Sequence, residues 1–81
     1  NGGEEFCVVL DDLSLEKAID IFEKLIKKIA STPYKKDDVV INITASIGLF
    51  HGINNNIKPM LSLADKKLYV AKKTGRNKLV S

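Results

Sequence analysis

The apolar residues of this chain switch period as the sequence proceeds, and each switch marks a new element. Phe6-Cys7-Val8-Val9-Leu10 is a short apolar run entered from Asn1-Gly2-Gly3-Glu4-Glu5, and it reads as a strand that follows a tight turn. Asp11-Asp12-Leu13-Ser14 then supplies a turn and a helix-capping side chain. Beyond it Leu15, Ala18, Ile19, Phe22, Ile26 and Ile29 recur at spacings of three and four, which predicts an amphipathic helix of about four turns. The opposite face carries Glu16, Lys17, Asp20, Glu23, Lys24, Lys27 and Lys28, acidic early and basic late as the helix dipole favours, and reads as solvated.

Ser31 to Asp38, with Pro33 and the run Lys35-Lys36-Asp37-Asp38, reads as an exposed loop. From Val39 the period becomes two: Val39, Ile41, Ile43, Ala45, Ile47 and Leu49 alternate with Val40, Asn42, Thr44, Ser46 and Gly48. This predicts one long strand with an apolar face and a face of small, mostly polar side chains. The small face is either open to water or the floor beneath a ligand. His51-Gly52-Ile53-Asn54-Asn55-Asn56 is a polar loop, and Asn56 would cap a second helix that has Pro59 in its first turn. That helix is expected to bury Ile57, Leu61, Ala64, Leu68 and Ala71 and to stop at Gly75, with a short last strand over Asn77 to Val80. The order is β-α-β-α-β, an α+β arrangement.

At 81 residues the chain holds one small domain with a modest core and no second domain. Its net charge of +3 arises largely from Lys66, Lys67, Lys72, Lys73, Arg76 and Lys78 near the end. A solvated Lys-rich helix face accounts for this run; a phosphate-bearing partner is the alternative. The single cysteine, Cys7, excludes an intrachain disulfide and a cysteine-based zinc site, and it reads as a small core residue. His51 is the sole histidine and reads as a solvated loop residue. No run approaches the roughly 18 apolar residues of a membrane span. The start also has no signal-peptide pattern, so the piece reads as cytoplasmic, with any membrane anchor placed upstream in a parent protein. The opening turn has a second strand and no first, which makes the sequence read as cut from a larger domain.

Two clusters are candidates for chemistry. Glu4 and Glu5 are adjacent carboxylates beside Gly2 and Gly3, which have no side chains to keep a ligand from the backbone. Paired carboxylates suit a hard cation such as Mg²⁺, usually held by one or two of them together with substrate phosphates; an acidic hairpin tip is also an ordinary surface feature. The second cluster is Asp65, Lys72 and Arg76. Asp65 and Lys72 are seven apart and share a helix face, while Arg76 lies just past the Gly75 stop. Lysine as a point charge and arginine as a planar fork are the usual binders of phosphate oxygens.

Gly2-Gly3-Glu4-Glu5-Phe6 resembles the signature turn of the GGDEF domains, the bacterial diguanylate cyclases, with Glu at the third position where Asp or Glu is usual. The resemblance continues through Ile43-Thr44-Ala45-Ser46-Ile47-Gly48-Leu49, similar to the family's Ser-x-Gly strand. It extends through Ala64-Asp65-Lys66-Lys67-Leu68-Tyr69-Val70-Ala71-Lys72-Lys73-Thr74-Gly75-Arg76-Asn77. Together these motifs cover essentially the whole chain in the family's order.

The resemblance implies an enzyme that joins two GTP molecules into cyclic di-GMP with release of pyrophosphate, one GTP on each of two facing domains of a homodimer. Metal ions, Mg²⁺ or Mn²⁺, would bridge phosphates and activate the attacking hydroxyl. Glu4 would be a metal ligand and proton acceptor, and Glu5 would support the metal site. Gly2 and Gly3 would admit the nucleotide, Lys72 and Arg76 would hold the terminal phosphates, and Asp65 would orient the helix end. Lys67 departs from the small apolar residue usual in the family. The upstream residues that supply a further metal-binding Asp, guanine recognition and the Arg-x-x-Asp inhibitory site are not in the sequence, so the fragment by itself is expected to be inactive.

The implied fold is a ferredoxin-like βαββαβ sandwich with an antiparallel-rich sheet. In it the strands at 6–10 and 39–49 are not neighbours, because a first strand lies between them. The piece would then have a gap in its sheet, to be filled by a partner segment, a second copy or further chain. A silent GGDEF-like module that binds GTP or cyclic di-GMP is the first alternative. A nucleic-acid-binding domain is the second, and it lacks the aromatic stacking surface such readers use.

Overall fold

The computed structural model describes residues 3–10, 14–52 and 57–81. The order is β1 (Gly3–Leu10), α1 (Leu15–Ala30), β2 (Tyr34–Lys36), β3 (Val39–Ile41), β4 (Thr44–His51), α2 (Ile57–Lys73) and β5 (Leu79–Val80), a mixed α/β chain. Ser14 caps α1 as its position predicts, its hydroxyl accepting from the Lys17 N–H at 3.2 Å. The expected turn at Asp11-Asp12-Leu13 and the expected cap Asn56 lie outside the described residues.

β4 is the centre of the fold. It pairs with β1 on one side and β5 on the other, parallel in both cases, in the order β1-β4-β5. The register with β1 runs from Gly3 opposite Thr44 to Leu10 opposite His51. The expected gap between these strands is therefore absent, and the described sheet is parallel rather than antiparallel-rich. Parallel neighbours need a crossover of a dozen or more residues, which the 16-residue α1 and its flanks provide. With no strand between them, the facing edges of β1 and β4 satisfy one another's backbone groups.

The stretch expected to form one strand from Val39 to Leu49 is broken. Val39–Ile41 pairs antiparallel with Tyr34–Lys36, inside the segment expected to be loop. The turn between them is Asp37-Asp38, and Asp37 takes a positive φ of 54° there. A short polar aspartate tolerates that left-handed conformation better than most residues, so an alternating run can fold back on itself at this point.

Helices cover both faces of β4. Ala45 and Ile47 pack with Ile26 of α1, joined by Val8, Phe22, Ile29 and Leu79. The small-residue face is neither open to water nor a ligand floor, because α2 lies on it. Ser46 is buried, and Gly48 meets α2 so closely that an added Cβ would stand 2.2 Å from the Ala64 carbonyl oxygen. Small side chains on that face are what let the helix backbone approach.

α2 buries Met60, Ala64, Leu68 and Ala71. Ile57 and Leu61, expected inside, are exposed; the contact stripe passes through Met60 instead. Cys7, expected in the core, is exposed on edge strand β1, and His51 is the exposed last residue of β4 rather than part of a loop.

Candidate active site

The two-residue period of β1 separates the adjacent carboxylates. Glu5 and Cys7 face α2, whereas Glu4 shares its parity with Val8, which packs toward α1. Glu4 and Glu5 thus point to opposite faces of the strand, and their pairing in sequence is not a pairing in space. Glu4 is exposed and has no ion-pair partner among the described residues.

Glu5 instead meets both predicted cations. Its Oε1 lies 3.3 Å from Lys72 Nζ and its Oε2 lies 3.2 Å from Arg76 Nη1. Lys72 comes from the last turn of α2. Arg76 arrives by a different route, since Gly75, Arg76 and Asn77 have φ values of 120°, 63° and 52°. The Arg76 N–H donates to the Ala71 carbonyl at 2.8 Å, which closes the helix end by the wide loop a left-handed residue permits. That reversal returns the arginine over the start of β1.

Ser46 and Gly48 are site-building residues whose role the sequence pattern did not disclose. The buried Ser46 hydroxyl accepts from the Asn77 N–H at 3.1 Å, and the Ile47 N–H donates to the Lys78 carbonyl at 2.9 Å. These bonds pin the left-handed turn, and with it Arg76, to the centre of the sheet. Two small residues two apart, facing a helix with Ala64 and Ala71 on its buried stripe, were the available signal.

Asp65 does not join the cations. It accepts a weak bond from Cys7 Sγ at 3.9 Å, farther along β1. Since Asp65 meets Cys7 and Lys72 meets Glu5, α2 runs antiparallel to β1. Gly2 lies outside the described residues. Gly3 pairs with Thr44, and an added Cβ there would meet Thr44 Oγ1 at 3.6 Å and the Thr44 carbonyl oxygen at 3.8 Å, both ordinary contacts. Neither packing nor a positive φ demands glycine at that position.

The Glu5 carboxyl is held below its ordinary value, first by the hydrogen bond from Lys72; lost water opposes this less strongly than that bond, and the Lys72 charge and the Arg76 contact add to the lowering. A lowered value means the ion pairs favour the folded state above the ordinary pKa near 4.5, and that support disappears as pH falls through the lower folded value. All three side chains are more than a third exposed, so the pairs are screened and add little to stability. They are contacts that another ion can displace.

The Cys7 thiol is pushed up from its ordinary value near 9.0, by lost water first and then by the negative charge and hydrogen bond of Asp65. The reactive form is the thiolate. Alkylation of Cys7 by iodoacetamide at pH 8 is therefore expected to run several-fold slower than that of free cysteine, and Asp65→Asn to speed it. A rate equal to that of free cysteine in the native protein would contradict the contact.

Among the described residues no group of three or more His, Cys, Asp or Glu could hold a metal ion, and no helix is long and apolar enough to cross a membrane.

A family model described as "Diguanylate cyclase, GGDEF domain" matches residues 1–78. The chain is 40% identical over 81 residues to the uncharacterized protein YhcK of Bacillus subtilis, covering 96% of this chain and 23% of that protein. It is 35% identical over 80 residues to diguanylate cyclase A of Treponema denticola, covering 96% of this chain and 22% of that protein. A diguanylate cyclase of Vibrio cholerae is 31% identical over 77 residues, covering 95% of this chain and 24% of that protein. The chain thus spans about a quarter of the length of these relatives. No solved structure matches it.

Proposed function

Because this chain belongs to the GGDEF family of diguanylate cyclases, we propose that it is part of a domain that condenses two GTP molecules into cyclic di-GMP, releasing pyrophosphate twice. The observation that carries this reading is the meeting of Lys72 and Arg76 beside Glu5 of the signature strand, three residues drawn from distant parts of the sequence. A lysine and an arginine converging on one point offer a point charge and a fork to phosphate oxygens. In the proposed role they hold the terminal phosphates of GTP. Gly3, which the fold leaves free to carry a side chain, is kept bare for the nucleotide to approach the backbone, with Gly2 beside it.

Domains of this family are generally metal-dependent. The carboxylates here fit such an ion only as open donors, the arrangement that Mg²⁺ or Mn²⁺ completes with waters and substrate phosphates rather than with a protein cage. Glu4, turned away from the cations, would be the ligand at hand, with Glu5 a ligand once it leaves its ion pairs. When bound, such an ion would neutralise phosphate charge and lower the pKa of an attacking hydroxyl. Glu4 would also accept the proton of the ribose 3′-hydroxyl of the second GTP. Asp65 would keep α2 in line with β1 through Cys7 and would not touch substrate.

The reaction joins two nucleotides, so the proposed working unit is a homodimer with one GTP on each domain. The upstream part of the domain would supply guanine recognition and a further metal-binding Asp, which leaves residues 1–81 inactive when separated from it. The ferredoxin-like arrangement belongs to that complete domain, where the neighbours of β1 and β4 would be redistributed. The domain would work in the cytoplasm, and any membrane anchor would belong to other segments of the parent. No finding favours a silent regulatory module or a nucleic-acid-binding domain.

The test is nucleotide binding by the complete protein. Lys72→Ala and Arg76→Ala are each expected to weaken GTP binding by roughly 1–3 kcal/mol, the value of a charge-assisted hydrogen bond, measured by calorimetry with Mg²⁺ present. Unchanged affinity in both variants would mean that these cations are solvated surface and would overturn the assignment.

A further inference from the structure

We propose that Glu5 is an internal stand-in for substrate phosphate, occupying Lys72 and Arg76 until a phosphate chain displaces it. This inference rests on the reading of Lys72 and Arg76 as the phosphate-binding pair. Each oxygen of the one carboxylate takes one cation, Oε1 with Lys72 and Oε2 with Arg76, so the group bridges them as two phosphate oxygens would. The two cations come from different backbone supports, a helix end and a left-handed turn, and without an anion between them they would repel. Glu5 keeps them convergent before substrate arrives.

The same contact makes Glu5 a competitor. Lys72, Arg76 and Glu5 together carry a net single positive charge, whereas the two cations alone carry two. A multiply charged phosphate chain must therefore expel the carboxylate or bind against it. Expulsion is open to it, because all three side chains stand partly in water and the ion pairs are screened. Once displaced, the Glu5 carboxylate lies beside the incoming phosphates as an oxygen donor for the cation that accompanies them. Phosphate entry and the release of a second carboxylate are then one event, and each ligand favours the other by removing its competitor.

The experiment uses inorganic pyrophosphate without divalent cations, titrated calorimetrically into the complete protein at fixed, low ionic strength. Glu5→Gln, which keeps the shape of the side chain and removes its charge, is expected to bind pyrophosphate about five- to tenfold more tightly than wild type, within the usual range of a coupling between ligands. Equal or weaker binding by Glu5→Gln, with wild type still binding, overturns the stand-in and leaves the phosphate assignment intact. Lys72→Ala separates the two: if it binds pyrophosphate as wild type does, the cation pair is not an anion site and the underlying reading fails as well. Should Glu5→Gln fold poorly by circular dichroism, the wild type itself answers through the ¹³C resonance of the Glu5 carboxyl. A shift on adding pyrophosphate supports displacement, and a resonance that stays in place overturns it.

Discussion

Gly48→Ala is expected to destabilise the domain severely. The added methyl group would stand 2.2 Å from the Ala64 carbonyl oxygen, 2.3 Å from the Leu68 nitrogen and 2.7 Å from the Leu68 Cα. All three are backbone atoms of α2, so no side chain can rotate away to make room. The helix itself would have to lift from β4, and with it the buried Ala64, Leu68 and Ala71. Overpacking a tight contact costs about 1–3 kcal/mol even where side chains can adjust, and here the cost should lie at or above the top of that range. In a domain of about 150–250 residues each kcal/mol lowers the melting temperature by roughly 2–4 °C. A fall of about 6 °C or more is therefore expected in the complete protein, read from its circular dichroism melt. Gly3→Ala is the control, since its added methyl group meets Thr44 Oγ1 at 3.6 Å and the Thr44 carbonyl oxygen at 3.8 Å, both ordinary contacts, and it should melt as wild type does. If the two variants melted alike, the close approach of α2 to β4 would be refuted.

The position of Gly48 shows what a linear pattern discloses and what it withholds. The alternation of Ala45, Ile47 and Leu49 announces a strand, and all three are buried. The intervening Ser46 and Gly48 suit exposure or close helix packing equally, and only the partner surface decides. Helix α1 was legible from the Ser14 cap to the inward Ala18, Phe22, Ile26 and Ile29, because its signal is local, and of the predicted stripe Leu15 alone is exposed. The adjacency of β1 and β4 was not, since strand pairing across some forty residues leaves no trace in either strand's own period.

At the site, the charges of Lys72 and Arg76 were evident, but their meeting at Glu5 bridges about seventy residues and was reachable only through family resemblance. The opposite facing of Glu4 and Glu5 has a different origin. Neighbours in a strand face opposite ways, so extending β1 back to Gly3, beyond the apolar run, was enough to divide the pair.

That division leads to the largest functional effect expected of any substitution here. Glu4→Gln should reduce cyclic di-GMP formation by the complete protein at least about a hundredfold, the lower end of what a positioned proton acceptor contributes. The fold should be unaffected, because Glu4 is exposed and among the described residues takes part in no ion pair. Pyrophosphate binding without divalent cations should be nearly unaffected too, since Glu4 lies on the other face of β1 from Lys72 and Arg76. The adjacent glutamates should therefore give different responses to the same chemical change: Glu5→Gln tightens binding of the anion, and Glu4→Gln removes turnover while leaving that binding alone. Product is measured by chromatography at saturating GTP and Mg²⁺. Wild-type turnover in Glu4→Gln would remove this carboxylate from both metal binding and proton transfer. A matching gain in pyrophosphate affinity in both variants would mean that the two side chains share one electrostatic environment, against the alternation of β1 that sets them apart.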